Sequence, residues 1–282
     1  MAFNWFRSNQ QINQLIAKQK YPQAAAQLEK ILQKEPDNIL LIKQLGDLLP
    51  KAGRTEEGLA YMAKVADSYI EEGFFMKALA QLKKMKRLAP YDEDLQKKID
   101  GLIEEEKGPT NDPYKTVDFE APEPVEEAIE PAEETEASQL GKRPIQSPLF
   151  DGFTTEELKG FIDGMELKTF EPGDILCTEG EPGDSLMVLA NGVLKVFVAN
   201  LAGRSEEVRI LREGDFFGEI SLLSRKPRTA TITCATDCEL LELNRKKLIE
   251  LSKNHPEIPK TLKKFYQERA LSAEEMDARC GE

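Results

Sequence analysis

Between Phe216 and Thr231 the chain reads FFGEISLLSRKPRTAT. A carboxylate, Glu219, follows Gly218, and nine positions later Arg228 precedes Thr229 and Ala230. These residue types suit a pocket that holds a phosphate and a sugar hydroxyl. Arg228 brings a fixed charge and a planar fork of donors that matches two phosphate oxygens. Gly218 is expected to open a short helix over 218–224 and to let a ligand approach the backbone closely. The free N–H groups of that first turn, near Glu219 to Ser221, can point at an anion. Ala230 is small, so its backbone N–H can reach the same anion. Glu219 would repel a phosphate, and its natural partner is a hydroxyl donor. The alternative is a pocket in which Glu219 and Arg228 only pair with each other.

Three regions surround this stretch. Residues 8–106 are rich in Leu, Ala, Lys, Glu and Gln at helical spacing, which predicts about six helices. Tyr21, Ala24, Leu28 and Ile31 recur 34 residues later as Thr55, Gly58, Met62 and Val65. A partial third copy (Gly73, Phe75, Ala78, Leu82, Met85, Pro90) is offset by only 20 residues. Pro36 and Pro90 fall where helices stop. Small residues at 24, 58 and 78 would let paired helices approach, with Leu28, Met62 and Leu82 filling the seam. The pattern resembles the tetratricopeptide repeat, which implies a partner protein on a concave face. An ordinary helical bundle is the alternative.

Residues 107–146 differ. Asp112 to Glu136 carry ten acidic residues against one lysine, Lys115, and four prolines. That composition predicts an extended, disordered linker. The islands Val117–Phe119 and Val125–Ile129 are docking motifs or plain spacer.

From Pro148 onward an amphipathic helix is expected over 154–165. Seven short strands follow: 167–170, 175–178, 185–190, 193–198, 207–211, 229–235 and 239–243. Helices near Arg245–Lys253 and 257–276 close the region. Asn191-Gly192 between apolar runs predicts a hairpin. Strands at this spacing predict a small β-barrel or jelly roll.

On Phe170 to Asp174, Glu179 to Asp184, Gly192, Phe217 to Leu222 and Pro227 to Thr231, the region 147–276 resembles the cyclic-nucleotide-binding domain. This is the domain of the catabolite activator protein, protein kinase A regulatory subunits and cyclic-nucleotide-gated channels. The nine-residue interval from Glu219 to Arg228 fits the kinase-type version. The resemblance implies that Arg228, Ser221, Thr229 and Ala230 hold the cyclic phosphate. It implies that Glu219, with Gly218, Ile220 and Phe217, holds the ribose 2′-hydroxyl and shapes the pocket. Thr229 can bond a guanine amino group in this family, so cAMP and cGMP both stay open, with cAMP favoured. On the last helix Leu262, Phe265 and Tyr266 form an apolar stripe, read as a lid over the base or as packing on the barrel.

The fold class expected is therefore a multidomain α + β chain. It has helical repeats over 8–106, a linker over 107–146, a cyclic-nucleotide domain over 147–276 and a tail over 277–282. The expected function is a cytoplasmic, non-enzymatic signalling adaptor. Its alternatives are a scaffold whose barrel binds nothing, or a regulatory subunit of a partner enzyme. In the latter reading Lys142-Arg143 before Ser147 is a poorly spaced pseudosubstrate.

A net charge of −13 disfavours nucleic acid. The chain ends at Glu282 with no helix-turn-helix expected behind the last helix. No apolar run long enough to span a membrane and no signal peptide are read. Cys177, Cys234, Cys238 and Cys280 form no disulfide framework or metal set, and no cofactor is expected. The one histidine, His255, sits before Pro256 in a turn. With no nucleophile–base pair or P-loop in view, an enzyme is not expected. Dimerisation through the last helix is a further expectation.

Overall fold

A computed structural model describes residues 11–107, 147–199 and 204–267. The acidic segment from 108, its islands Val117–Phe119 and Val125–Ile129, Lys142-Arg143, residues 268–276 and the tail 277–282 lie outside the described residues.

The first region is helical throughout. It comprises α1 (11–17), α2 (Tyr21–Leu32), α3 (Ile39–Leu48), a 3-10 turn (Pro50–Ala52), α4 (Thr55–Glu71), α5 (Phe75–Leu88) and α6 (Glu93–Lys107). From α2 to α6 each helix packs on the next. Asn38 starts α3 because its Oδ1 accepts from the N–H groups of Leu40 (3.1 Å) and Leu41 (3.3 Å). The small residues do the job their spacing predicts. A Cβ on Gly58 would lie 2.6 Å from Pro50 Cδ, so the backbones meet only at a glycine. Ala24 and Ala78 are fully buried.

The second region begins with α7 (Pro148–Asp151) and α8 (Thr155–Asp163). A capping box starts α8, in which Thr154 and Glu157 satisfy each other's backbone N–H. Strands β1 (Glu166–Phe170), β2 (Ile175–Cys177), β3 (Ser185–Asn191), β4 (Leu194–Ala199), β5 (Ser205–Leu211), β6 (Phe216–Phe217), β7 (Thr231–Cys234) and β8 (Cys238–Asn244) follow. The helix α9 (Glu219–Ser224) lies between β6 and β7, and α10 (Arg245–Asn254) and α11 (257–267) come last.

The strands form two four-stranded sheets, β1-β8-β3-β6 and β2-β7-β4-β5. Among the described residues no strand pairs across the two sheets, so of the two architectures expected the open two-sheet one is formed and the closed barrel is not. The Asn191-Gly192 hairpin is also not formed, because β3 and β4 belong to different sheets. Gly192 instead makes the crossing at φ 109°. A Cβ there would lie 2.5 Å from the Asp237 carbonyl oxygen, so the tight corner, not a strand reversal, requires glycine. The strand β6 escaped the sequence reading because two residues show no alternation.

The helical region does not stand apart. Phe75 of α5, Phe150 of α7 and Phe161 of α8 meet edge to face at 6.3 Å per pair. Leu79 and Leu82 of α5 belong to the same buried cluster as Val188 and Leu241 of the sandwich and Leu248, Ile258 and Leu262 of the closing helices. Charges cross this contact too. Buried Lys84 donates to Glu239 (2.9 Å) and Asp47 (2.9 Å), and Lys43 reaches Glu239 at 3.3 Å. Burial alone would raise the Glu239 carboxyl. The two ammoniums more than offset it and hold the group below the ordinary carboxylate range.

Lys83, also on α5, donates to the Met165 carbonyl (2.6 Å). Its burial lowers its pKa to about 8, against a partial opposing pull from Asp163 and Glu166 and a small push from Lys86. The unfolded chain keeps that proton to 10.5. From pH 8 upward the unfolded state therefore binds more protons, and Lys83 makes the fold more stable as pH rises. Urea melts at pH 8 and pH 9 should show wild type gaining about 1 kcal/mol relative to Lys83→Met. An unchanged difference would contradict the burial of this ammonium.

Candidate functional site

Arg228 stands at the centre of the site, and the fold makes room for it at unusual cost. Its guanidinium is buried, with Nη1 donating to the Ser185 carbonyl (2.9 Å) and Nη2 to Ser185 Oγ (3.1 Å). A guanidinium has five N–H donors. Two are spent on Ser185. Its other donors are left for an acceptor in the cavity.

Two glycines clear the space. A Cβ on Gly183 would lie 2.5 Å from Arg228 Nε, and a Cβ on Gly218 would lie 2.3 Å from Nη1. Gly218 also sits at φ 91°, the left-handed turn that launches α9. The backbone of Arg228 is clamped by the neighbouring turn: its N–H donates to the Glu181 carbonyl and its carbonyl accepts from Gly180 N–H, both at 2.8 Å.

The arginine borders a cavity of about 210 Å³. It is lined by Phe217, Gly218, Glu219, Ile220, Ser221, Arg228, Thr229 and Ala230, so the structure brings together the eight residues singled out for phosphate and hydroxyl binding. Glu219 and Ser221 are themselves buried on α9. That helix is held from outside, where Arg245 Nη2 donates to the Ser221 carbonyl at 2.7 Å. Pockets that engulf a small ligand are usually roughly 300–1,000 Å³. An occupant of this smaller cavity therefore leaves part of itself at the mouth.

Several lining residues were not anticipated. Ile232 of β7, Val196 of β4 and Arg209 of β5 are in register across three strands, so they face the same side of their sheet. This row forms a wall running from the Arg228 end outward. Two strand spacings place Arg209 about 10 Å along the sheet from Ile232. Arg209 is over half exposed and pairs with Asp215 at 3.5 Å. Its parity with buried Leu211 on β5 was the available signal that it faces the cavity. Cys177 lines the floor, and burial raises its thiol pKa, with a smaller opposing pull from Arg228. Ser185 carried no signal beyond its place at a strand start.

Of the stripe read as a lid or as packing, Leu262 and Phe265 are packed against the core. Leu262 is fully buried in the large core. Phe265 packs edge-on against Phe216 at 5.4 Å. Neither of these nor Tyr266 lines the cavity, because α11 covers the sandwich on its helix-packed sheet.

A larger cavity of about 1,180 Å³ lies between α3, α5 and the ends of β1 and β8. Its central charges, Lys43, Lys84, Asp47 and Glu239, already satisfy one another. No cluster among the described residues could hold a metal ion, and no helix among them is long and apolar enough to cross a membrane.

The region that carries this cavity is similar to known proteins. Residues 167–255 match the model of the family described as the cyclic nucleotide-binding domain. The chain is 30% identical over 128 residues to a cyclic AMP receptor protein of Thermus thermophilus, covering 45% of this chain and 59% of that protein. It is 33% identical over 98 residues to a cAMP-dependent protein kinase regulatory subunit of Hypocrea atroviridis, covering 35% and 20%. It is 41% identical over 90 residues to a cGMP-dependent protein kinase of Toxoplasma gondii, covering 32% and 9%. The match thus spans less than two thirds of each of these relatives.

Gly183 lies outside the left-handed φ range, so its substitution tests the space around Arg228 without the strain of that conformation. Gly183→Ala should displace the guanidinium from Ser185 and cost about 1–3 kcal/mol of stability through overpacking. Thermal denaturation checks this. A melting curve identical to wild type would show that the arginine does not depend on that gap.

Proposed function

We propose that this chain is a non-enzymatic, cyclic-nucleotide-responsive adaptor of the cytoplasm. Residues 147–276 bind cAMP or cGMP as a regulatory ligand. The observation that carries this reading is the Arg228 fork, buried with donors to spare in the same cavity as Glu219 and the start of α9. In the bound state Arg228 holds the cyclic phosphate, joined by Ser221, Thr229 and Ala230. Glu219 accepts from the ribose 2′-hydroxyl, with Gly218, Ile220 and Phe217 shaping that end. The base then runs along Ile232 and Val196 toward Arg209.

The helical region, bounded in our reading by residues 8 and 106, is of tetratricopeptide-repeat type and offers a surface to a partner protein. Support comes from the 34-residue recurrence and from the buried small residues that let successive helices approach.

Isothermal titration of the full chain tests the site. Arg228→Ala should weaken cyclic-nucleotide binding by about 1.5–3 kcal/mol, roughly ten- to 150-fold, because a charge-assisted contact is lost. Equal affinity in wild type and variant would refute the assignment.

The choice of base is read at Arg209. An arginine pairs well with the O6 and N7 acceptors of guanine, whereas adenine places an N6 donor there. Arg209→Ala should therefore weaken cGMP binding more than cAMP binding in parallel titrations. An unchanged ratio of the two affinities would remove Arg209 from base recognition.

A further inference from the structure

Lys77, Gln81 and Lys84 fall at i, i+4 and i+7 on α5 and so share one face. Two of them reach the sandwich. Lys84 meets Glu239, and Lys77 Nζ meets Glu213 Oε1 at 3.0 Å. Gln81 is buried, and among the described residues its side-chain amide has no hydrogen-bond partner. An apolar seam would be more stable than this polar one, because a buried amide without partners is unfavourable. What the polar stripe does provide is a directional grip on Glu213.

Glu213 belongs to the turn between β5 and β6, which runs straight into the nucleotide cavity. Gly214 N–H donates to the Leu189 carbonyl, and Leu189 N–H donates to the Asp215 carbonyl, both at 2.8 Å. The Asp215 carboxylate accepts from Arg212 N–H at 2.8 Å and pairs with Arg209 at 3.5 Å. The next residues, Phe216, Phe217 and Gly218, line the cavity and start α9. Lys77 is itself confined, with Nζ 4.6 Å from the Phe74 ring centroid and 5.9 Å from that of Tyr69. The Lys77 and Glu213 side chains are each about one-fifth exposed, at 21% and 18%, which limits solvent screening of the pair.

We propose that Lys77 of the helical region is a positioning residue of the nucleotide cavity, acting through Glu213 on the turn that sets Arg209 and Phe216 to Gly218. Docking of α5 and occupancy of the cavity then strengthen each other. The sign follows from preorganisation: a turn already fixed by α5 does not have to be ordered when the ligand binds. Linkage makes the effect reciprocal, so nucleotide must tighten the docking of α5 by the same factor. This inference rests on the cyclic-nucleotide reading of the site, and it supplies the route by which that site addresses the helical region.

The test is titration of cAMP and cGMP into the full-length chain as wild type, Lys77→Met, Glu213→Gln, the double variant and Lys77→Arg, each first checked for a cooperative melt. Lys77→Met and Glu213→Gln should each lose about fivefold or more in affinity. The double variant should lose no more than either single one, because both remove the same pair. Lys77→Arg, which keeps the charge and the ring contacts, should bind as wild type does, and it carries the comparison should Lys77→Met not fold. Hydrogen exchange of α5 amides should slow when nucleotide is added to wild type, and this response should vanish in Glu213→Gln. A wild type that binds neither nucleotide overturns the site reading, and the coupling with it. A wild type that binds, with unchanged affinity in Lys77→Met and Glu213→Gln, overturns the coupling alone. Reduced affinity with no nucleotide-dependent protection of α5 in wild type also overturns it, because the pair would then be merely structural.

Discussion

The whole second region is arranged around one buried cation. A guanidinium away from water is unfavourable unless acceptors surround it. Among the described residues the carbonyl and hydroxyl of Ser185 supply part of that set. The rest of the environment is made of absences: no side chain at 183 and none at 218, where any Cβ would strike the arginine. A phosphate completes the set in a way a neutral ligand does not, since it returns both the charge and the acceptors.

Three consecutive residues show how tightly this requirement is tied to the remainder of the fold. Gly183 leaves room for Arg228, Asp184 accepts from the Arg245 N–H at 2.8 Å, and Ser185 accepts from the guanidinium. Arg245 opens α10 and at the same time holds α9 through the Ser221 carbonyl. The arginine, the short helix beside it and the closing helices therefore share one anchor at the start of β3. On the opposite side, the turn leading into β6 passes from the α5 contact at Glu213 to the cavity within a few residues. Phe216 on that strand also meets Phe265 of α11. The cavity is thus in contact, through packed and hydrogen-bonded neighbours, with helices from both ends of the described chain.

Much of this was legible in the sequence where chemistry and local conformation coincide. Glycine at 218 before Glu219, and arginine at 228 before Thr229 and Ala230, marked the residues that come together around one cavity. The seven longer strands follow from short strand-like runs set between turn-forming residues. What stayed hidden depends on partners distant in sequence. Ser185 meets Arg228 from 43 positions away, with nothing local to mark it. The split into two sheets turns on Gly192, whose tight corner reads locally like a hairpin. The stripe of Leu262, Phe265 and Tyr266 is apolar whether it faces a ligand or a core, and only the packed structure separates the two. The docking of α5 on the sandwich was equally silent, since lysines at 77 and 84 read as a solvated helix face until their carboxylates are seen.

The most direct measurement is a crystal structure of the chain with cAMP bound. The cyclic phosphate should lie within hydrogen-bonding distance of Arg228 and the ribose 2′-hydroxyl within hydrogen-bonding distance of Glu219, with the base directed toward Arg209. A nucleotide bound elsewhere, or one in this cavity whose phosphate does not meet Arg228, would contradict it.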